Sequence, residues 1–442
     1  MKRAFKVRLY PNKSQENYLA RAMGCCRLIY NLMLADYRMA FSLFKNEEAN
    51  MTEEEKKKHK FTHTPNYSIY SKQDQFAFLK EIEARALNYV QENLKKAFKN
   101  FFARRNQGVG FPAFKGKTTE GSFQSDNIQV IGRKLKVPKC PGFIQFRNYE
   151  EIDFSQMETC TITISRTSNR KYYASILCDV PDVEPLPQTG AVVGIDLGVS
   201  TAVTFDDGRK IDRKSVNTNK RYFRGHRNGE DPKVKELHKQ IAFYQQKLAK
   251  AGEWEEKTFT GKDGKQYTKR VLVKKTGNYL RYQAKIANLT ETLNNMRSNY
   301  INNVSKFVVT AADIICMEDL TIKETETKKG MLSKDTDKTN KQNRTSHRNI
   351  AEASMGMIGT KIESMAKMYG KIVVKVNPAY TSRRCHCCGH LLTEKLSTTI
   401  REWTCPKCGT HHDRDVNAAQ NIKQQGLDEL TNQSTNAKFV AE

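Results

Sequence analysis

The spacing of hydrophobic and polar positions changes along the chain, and each change predicts a different kind of element. Residues 3–9, RAFKVRL, alternate as a strand does, and Pro11 ends the run. Residues 13–45 and 78–105 have helical spacing, with apolar residues recurring every three or four positions from Leu87 to Phe101. The charged residues 46–66 between them predict a solvated loop or the end of a helix.

Strand-like patterns dominate the next part of the chain, up to residue 180. Residues 159–180 predict a hairpin, because two alternating runs flank a Ser-Asn-Arg turn. Together with residues 123–147 and the first strand, this hairpin suggests a small β-barrel. Three prolines in residues 181–190 then predict a linker.

Beyond residue 191 strands and helices alternate, which is typical of an α/β layer fold. The predicted strands are a strand-turn-strand unit at 191–211 with DDG at its turn, then 312–320 and 371–376. The predicted helices are 231–250, with Asp231 as N-cap and Pro232 at the first position, then 279–310 and 350–369. We expect the first two helices to pack antiparallel. A basic hairpin, 254–273, is predicted between them, and a polar basic loop at 321–349.

Length and charge add a domain count and a class of partner. A chain of 442 residues is too long for one core, so we expect two to four domains. Its 75 Lys and Arg residues exceed its 48 Asp and Glu residues, for a net charge of +27. Such an excess favours nucleic acid as partner, because binding to phosphates releases counterions. A merely soluble basic protein is the alternative that charge alone leaves open.

The distribution of apolar residues and cysteines indicates the compartment. We find no apolar run near the roughly 18 residues of a membrane span, and the start, MKRAFKVRLYP, has no apolar signal-peptide core. Of 11 cysteines, six are scattered in apolar or strand-like settings and predict buried thiols. The other five lie in residues 385–408, which suits a reducing cytosol and a metal site better than disulfides.

The clustered cysteines have the spacing of a zinc ribbon. Cys385 and Cys388 form one C-x2-C pair and Cys405 and Cys408 another, with 16 residues between the pairs and a glycine after each. Four thiolates leave no open position on the metal, so we predict one structural Zn²⁺. Cys387 could replace one of the four, and His411 and His412 are less favoured replacements.

Three acidic residues end or follow short apolar segments: Asp196 in VVGIDLGV, Glu318 in IICMEDL and Asp415 in HHDRDVNAAQNI. If these segments belong to one sheet, the carboxylates gather and repel unless a cation lies among them. Oxygen ligands suit Mg²⁺, and two such ions can activate water for phosphodiester cleavage. Asp319 and Asp413 are adjacent competitors, and GIDLG alone also occurs in sugar kinases and chaperone ATPases.

The motifs together resemble the TnpB family, transposon-encoded relatives of miniature type V CRISPR nucleases. The matching segments run the length of the chain: FKVRLYPNKSQ, CCRLIYN, LKKAFKNFF, GFPAFKGK, GIDLGVSTAVTFDDG, MEDL, NPAYTSRRCHCCGH and WTCPKCGTHHDRDVNAAQNI. The basic hairpin at 254–273 and the stretch at 46–66 depart from the usual pattern.

The resemblance implies a multidomain α+β protein with a ribonuclease-H-like (RuvC) α/β nuclease domain and an inserted zinc ribbon. It also implies that Asp196, Glu318 and Asp415 are the triad that binds Mg²⁺, with Asn417 supporting them from behind. The expected boundaries are as follows. A β-barrel wedge domain covers 1–12 and 107–190, a helical recognition domain 13–106, the nuclease domain 191–384 and 409–424, the ribbon 385–408, and a polar tail 425–442.

The same resemblance implies the partners and the reaction. An RNA from the transposon end would pair with double-stranded target DNA beside a short adjacent motif, and the nuclease would cut that DNA. Nucleic-acid contacts are expected on one helix, from Arg85, Asn88, Lys95, Lys99 and Arg104, although solvated surface is the simpler interpretation of that face. We expect a monomer in the prokaryotic cytoplasm, associated with the nucleoid, with no membrane partner.

Several other functions remain open on sequence grounds. A miniature type V CRISPR effector would have the same build, and a non-cleaving RNA-guided binding protein would share the nucleic-acid surfaces. An actin-like ATPase would need two further glycine-rich phosphate loops, and we find none. A direct strand-transfer transposase is less favoured, because we see no His-x-His and tyrosine arrangement.

Overall fold

The computed structural model divides the chain into two compact units, Met1–Pro181 and Asp182–Glu442. The division falls inside the proline-rich stretch predicted to be a linker. The structure describes residues 1–104, 108–116, 120–147, 152–198, 201–212, 232–260, 266–319, 354–394 and 400–439, with positions 264 and 396. The predicted loop at 321–349 and the predicted N-cap Asp231 lie outside these residues.

The first unit contains a seven-stranded antiparallel sheet. Its strands are β1 (Lys2–Tyr10), β2 (Gly121–Ser125), β3 (Gln129–Ile131), β4 (Lys134–Lys136), β5 (Ile144–Arg147), β6 (Glu158–Arg166) and β7 (Tyr172–Asp179). Their order is β2-β6-β7-β1-β5-β4-β3, so the first strand of the chain lies in the middle. Over the described residues, the hydrogen bonds run from β2 to β3 without joining these two edges. Closure into a barrel therefore stays a prediction.

The helices of the first unit are α1 (Lys13–Ala49), α2 (Glu53–Lys58), α3 (Ser68–Ser71) and α4 (Ala84–Arg104). A capping box of Asn12 and Gln15 begins α1. The charged stretch predicted as a loop contains the end of α1 and the short α2. The helix predicted from residue 78 begins at Ala84 instead. A 3₁₀ segment, Asp74–Glu81, precedes it, and extended backbone at Ile82 separates the two.

The sheet and helices of this unit bury a common hydrophobic core. Buried residues of β1, α1, α4 and β5–β7 belong to one cluster. Tyr37 of α1 stacks on Phe98 of α4, with ring centroids 3.8 Å apart. The segments predicted as a barrel domain and a helical domain thus pack around one core.

The second unit contains a five-stranded mixed sheet of order β10-β9-β8-β13-β14. The strands are β8 (Val192–Asp196), β9 (Thr201–Phe205), β10 (Lys210–Asp212), β13 (Ile314–Glu318) and β14 (Ile372–Val376). β8, β13 and β14 run parallel, whereas β9 and β10 form an antiparallel meander with β8. The central strands are short and apolar because helices cover both faces.

Helices α6 (Gly277–Ala311) and α7 (Met355–Met368) cover one face of this sheet, and α8 (Arg414–Phe439) covers the other. Helix α5 (Pro232–Ala251) packs antiparallel on α6, as predicted, through Val234, Leu237 and Leu293. Helix α8 continues to Phe439, through most of the residues predicted as a polar tail.

Two small ribbons complete the second unit. The predicted basic hairpin is confirmed as β11 (Glu253–Thr260) and β12 (Gln266–Lys274), which join α5 to α6. The cysteine region contains β15 (Glu402–Thr404) and β16 (His411–Asp413). Among the described helices, none combines the length and hydropathy needed to cross a membrane.

Candidate active site and cysteine cluster

Two of the predicted acids end neighbouring parallel strands. Asp196 is the last residue of β8 and Glu318 the last residue of β13. The register aligns Ile195 with Met317, so the two acids occupy adjacent positions at one edge of the sheet. Parallel strands lie about 4.8 Å apart, and their carboxyl ends are where ligands bind in open α/β sheets.

Glu318 is the more enclosed of these acids. Its side chain is 5% exposed, and the Thr381 hydroxyl donates a hydrogen bond of 2.6 Å to Oε1. A cavity of about 650 Å³ lies beside Glu318 and Asp319, with walls from α6 and α7. The strand end thus has room next to it for a further group.

The third acid, Asp415, lies in the first turn of α8, two residues after Asp413, which caps this helix. Oδ1 of Asp413 accepts hydrogen bonds of 3.0 Å from the amides of Asp415 and Val416. Its Oδ2 forms an ion pair of 2.6 Å with Lys210. Burial alone would raise the pKa of Asp413, but the hydrogen bonds from Lys210 and from the Val416 and Asp415 amides, together with the charge of Lys210, outweigh burial and lower the pKa. Both oxygens of Asp413 are therefore engaged, one in capping α8 and the other with Lys210.

Asp415 contacts a cation of the cysteine region. Its carboxylate lies 3.2 Å from the Arg401 guanidinium. Within the described ranges, each group of three or more potential metal ligands within 4.8 Å of one another belongs to the cysteine region. The carboxylates of Asp196, Glu318 and Asp415 do not form so tight a group.

Helix α8 nevertheless lies directly on the strand that ends in Asp196. A Cβ added to Gly194 would lie 2.1 Å from the Ala419 carbonyl oxygen. Asp206 also joins β8 to α8. Its Oδ1 accepts a hydrogen bond from the Gly194 amide, and its Oδ2 forms an ion pair of 2.7 Å with Lys423. Ala419 lies one helical turn, about 6 Å, from Asp415, and Gly194 lies two residues, about 6.6 Å, from Asp196. The contact between Gly194 and Ala419 therefore helps to set the positions of both Asp196 and Asp415.

A second set of hydrogen bonds joins α8 to the segment that leads into the cysteines. Asn417 Oδ1 accepts from the His386 amide at 2.9 Å, and its Nδ2 donates to the Arg384 carbonyl at 2.8 Å. Asn421 donates to the carbonyls of Thr381 and Arg384 at 2.8 and 2.7 Å. Because Thr381 also donates to Glu318, the network connects that acid to the first cysteine pair. Asn417, predicted as a supporting residue, holds this backbone in place.

The four predicted cysteines come together. The Sγ atoms of Cys385 and Cys408 lie 3.6 Å apart, as do those of Cys388 and Cys405. All four sulfurs lie within 4.8 Å of one another. A Zn–S bond of about 2.3 Å in a tetrahedron gives sulfur separations of about 3.8 Å. The donor set and its spacing therefore fit one tetrahedral Zn²⁺.

The two cysteine pairs have the same backbone turn. Gly389 donates to the Cys385 carbonyl and Gly409 to the Cys405 carbonyl, each at 2.9 Å, and both glycines have φ of +72°. Only glycine adopts this φ without strain. Burial raises the pKa of Cys385 to about 12, whereas hydrogen bonding with Thr410 lowers the pKa of Cys408 to about 6. Zinc binding displaces the thiol protons whatever these starting values are.

The alternative ligands named from sequence have distinct positions. Cys385, Cys387 and His412 form a second group within 4.8 Å, but it lacks a fourth member. His412 is buried, with Nε2 3.1 Å from Cys385 Sγ, which suits a hydrogen bond to that sulfur. Burial lowers the pKa of His412, so its ring is neutral near pH 7.

The predicted nucleic-acid face of α4 is partly occupied by protein partners. Arg85 forms an ion pair with Asp126, which holds the pKa of that carboxyl below its usual range. Lys95 lies 3.4 Å from Glu92. Asn88 is half-buried, and Lys99 and Arg104 are exposed. Nucleic-acid contact by these five residues remains a prediction.

Sequence reasoning missed three residues of the site: Thr381, Asn421 and Asp206. Thr381 and Asn421 lie inside motifs that were quoted, NPAYTSRRC and NAAQNI, but their partners are distant in sequence. Asp206 belongs to DDG, where it was interpreted only as a turn residue. The sequence feature that could have identified these three residues is a polar side chain inside an otherwise apolar or helical run.

Two family models match parts of this chain. One, described as the Cas12f1-like TNB domain, matches residues 356–422, which contain all four cysteines, Asp415 and Asn417. The other, described as a helix-turn-helix domain, matches residues 1–43. In this structure residues 1–43 contain β1 followed by most of the long helix α1.

Several curated proteins are similar to the chain. A Streptomyces pristinaespiralis protein, provisionally named RNA-guided DNA endonuclease, is 27% identical over 97% of this chain and 90% of its own. An Escherichia coli K12 protein, provisionally named RNA-guided DNA endonuclease InsQ, is 24% identical over 96% of this chain and 92% of its own. The TnpB-like protein L79 of Acanthamoeba polyphaga mimivirus is 32% identical over 28% of this chain and 22% of its own.

A solved Cas12f1–sgRNA–target DNA complex covers 96% of this chain and 98% of its own, at 15% identity and a TM-score of 0.48.

Proposed function

The chain belongs to the TnpB family, and on that premise we propose that it is a transposon-encoded, RNA-guided DNA endonuclease. It cuts target DNA beside a short adjacent motif by metal-dependent phosphodiester hydrolysis at one ribonuclease-H-like site. One observation carries the proposal. Asp196 and Glu318 end adjacent parallel strands, and the helix that presents Asp415 packs on β8 without clearance at Gly194.

The residues at this edge fit divalent cations. Three carboxylates close to one another repel, and Mg²⁺ accepts carboxylate oxygens while keeping several waters. The metal would be held by Asp196, Glu318 and Asp415. Asp415 would give up its ion pair with Arg401 to bind it. Two Mg²⁺ ions held there would supply an activated water and charge stabilisation for the leaving oxygen.

The protein's own groups position the reaction. The Thr381 hydroxyl fixes the Glu318 carboxylate, the Asp413 cap fixes the start of α8, and Asn417 and Asn421 hold the segment between β14 and the ribbon. No side chain of this set needs to attack phosphorus, since water is the nucleophile. One site would cut both strands in turn.

The remaining parts supply binding and support. The four-cysteine site would hold one structural Zn²⁺, because its sulfurs leave no open coordination position. The net charge of +27 suits the backbones of a guide RNA and a target DNA. Base pairing then selects the target, while protein groups read only the adjacent motif.

The test is cleavage by Asp196→Ala. We expect no cleavage of a target duplex in Mg²⁺ by the protein–guide complex purified from its host, while RNA and DNA affinities stay within about twofold. Asp319→Asn is the matched control, because this neighbouring carboxylate is not in the proposed triad, and it should cut normally.

Unchanged cleavage by Asp196→Ala would overturn the assignment of the site. A wild-type complex that binds its target yet never cuts would favour the non-cleaving binding protein instead. Sequencing the RNA that copurifies distinguishes a transposon-end guide from a CRISPR guide.

A further inference from the structure

The β11–β12 hairpin projects from the end of a long helical arm. α6 packs on the sheet from Tyr300 onward, and α5 covers the part of α6 before that. Gly277 lies 23 positions before Tyr300, which is about 35 Å along the helix axis. The hairpin therefore lies well away from the edge that holds Asp196 and Glu318.

The base of the hairpin is fastened to this arm. The Thr276 hydroxyl caps α6 by accepting from the Tyr279 amide at 3.1 Å, and it donates to the Ala251 carbonyl. The Trp254 indole packs edge-on to Tyr279, with ring centroids 6.5 Å apart. The hairpin is thus held by the two helices at its base.

One face of the hairpin has complementary neighbours across its two strands. Glu256 lies opposite Arg270, whose guanidinium lies over the Trp254 ring, 5.4 Å from its centroid. Next along the same face, Thr258 lies opposite Thr268, with their hydroxyl oxygens 3.5 Å apart. Opposite charges and hydroxyl pairs across strands are stabilising, so the cross-strand neighbours on this face are favourable.

The other face has the reverse character. Lys257 lies directly opposite Lys269, which is an unfavourable arrangement of like charges. Among the described residues, neither ammonium has a carboxylate within 4.0 Å. Glu255 shares this face, one pair nearer the helices.

Beyond the lysines an aromatic pair completes this face. Phe259 lies opposite Tyr267, and their rings stack with centroids 5.9 Å apart and planes 23° from parallel. Phe259 is 40% exposed and Tyr267 is 51% exposed. Exposed aromatic rings can stack on unpaired bases, and the two neighbouring lysines can contact the phosphates that join those bases.

We propose that this face of the hairpin binds a single-stranded segment of RNA. Lys257 and Lys269 contact phosphates, and an unpaired base stacks on Phe259 and Tyr267. The proposal rests on the proposed function only for the source of the RNA, the guide. RNA is preferred to target DNA because the DNA must reach the edge with the acids, whereas a guide can extend along the arm.

The experiment measures binding of labelled 20-nucleotide RNA to the purified full chain. Fluorescence anisotropy compares unpaired oligouridine, an RNA duplex of equal length and oligothymidine. About 200 mM salt suppresses contacts made elsewhere by this basic chain. Phe259→Ala/Tyr267→Ala should weaken oligouridine binding about tenfold, because stacking is lost. Phe259→Trp/Tyr267→Trp should restore it.

The charges give an independent readout. Lys257→Gln/Lys269→Gln should lower the slope of log affinity against log salt by about 1.4, since each phosphate contact on a single strand contributes about 0.7. Thr258→Ala/Thr268→Ala is the matched control on the opposite face and should leave affinity and slope unchanged.

The outcomes separate this proposal from the proposed function. If both pairs of variants bind oligouridine as the wild type does, the hairpin proposal is wrong even where cleavage is normal. An equal loss for duplex RNA, or a larger loss for oligothymidine, refutes single-stranded RNA as the occupant. If the hairpin variants lose RNA while the wild type never cuts DNA, the hairpin proposal stands and the nuclease proposal fails.

Discussion

Replacing Gly194 by alanine tests whether the packing of α8 on β8 positions the carboxylates that we propose as metal ligands. The new Cβ would lie 2.1 Å from the Ala419 carbonyl oxygen and 2.8 Å from the Lys423 amide nitrogen. These are backbone atoms of a helix, so no side-chain rotation relieves the overlap. Ordinary contact begins near 3.4 Å, and the helix must therefore move by about 1.3 Å.

A shift of this size has two consequences. Overpacking of a tight interface typically costs about 1–3 kcal/mol of unfolding free energy. With a total stability of at least about 5 kcal/mol, about 97% of the protein stays folded even at the larger cost. Misplacing a catalytic group by about 1 Å can lower the rate about 100-fold, so we expect cleavage to fall far more than the folded fraction.

The assay is single-turnover cleavage by a guide-loaded complex at saturating Mg²⁺, with a urea denaturation curve of the same preparation. Gly277→Ala is the control in the same unit, because its added Cβ meets nothing within 4 Å. It should cut normally. A Gly194→Ala protein that is destabilised as expected yet cuts at the wild-type rate would refute positioning of Asp415 through this contact.

Three further predictions concern the Glu318 hydrogen bond, the cysteine cluster and an ion pair at the opposite end of the sheet. Thr381→Val removes the hydrogen bond to the buried Glu318, so it should cost about 1.5–3 kcal/mol in urea denaturation. It should also raise the Mg²⁺ needed for half-maximal cleavage about tenfold, and an unchanged Mg²⁺ requirement would contradict the role of this hydroxyl. Cys405→Ser should lose the zinc measured by mass spectrometry, whereas exposed Cys387→Ser should keep it; zinc loss from Cys387→Ser would indicate the alternative ligand set. The hydrogen bond from Lys371 lowers the pKa of Asp313 to about 2, below an unfolded value of about 3.9. Its stabilisation is therefore present above about pH 4 and lost as pH falls toward 2, so the urea midpoints of wild type and Asp313→Asn should converge over that range.

The strongest periodic patterns predicted their elements correctly, because local chemistry determined them. The hairpin at 254–273 alternates with turn residues at its tip, and the two C-x2-C pairs carry glycines where the turn needs positive φ. The acids at 196 and 318 follow apolar strands, and strand polarity alone brings them to one edge. The sequence thus predicted the parts of the site that lie on single elements.

The missed features depend on partners distant in sequence. No role was predicted for Gly194 of GIDLG, and only the crossing of α8, more than 200 residues later, requires its missing side chain. The ion pair of Arg85 with Asp126, 41 residues away, was likewise not visible in the local pattern, and nucleic-acid contact by Arg85 stays a prediction. The start of α4 was also missed, because the helical spacing of the sequence continues across Ile82, where the backbone is extended.

The hydrogen bonds of Asn417 and Asn421 fasten the entrance of the cysteine ribbon to the helix that forms its exit. An insert whose two ends are held together behaves as a removable module. Residues between the two cysteine pairs can then be gained or lost over evolution while Asp415, which follows them, keeps its position. A ribbon from another protein should also be tolerated here if its two ends are held together in the same way.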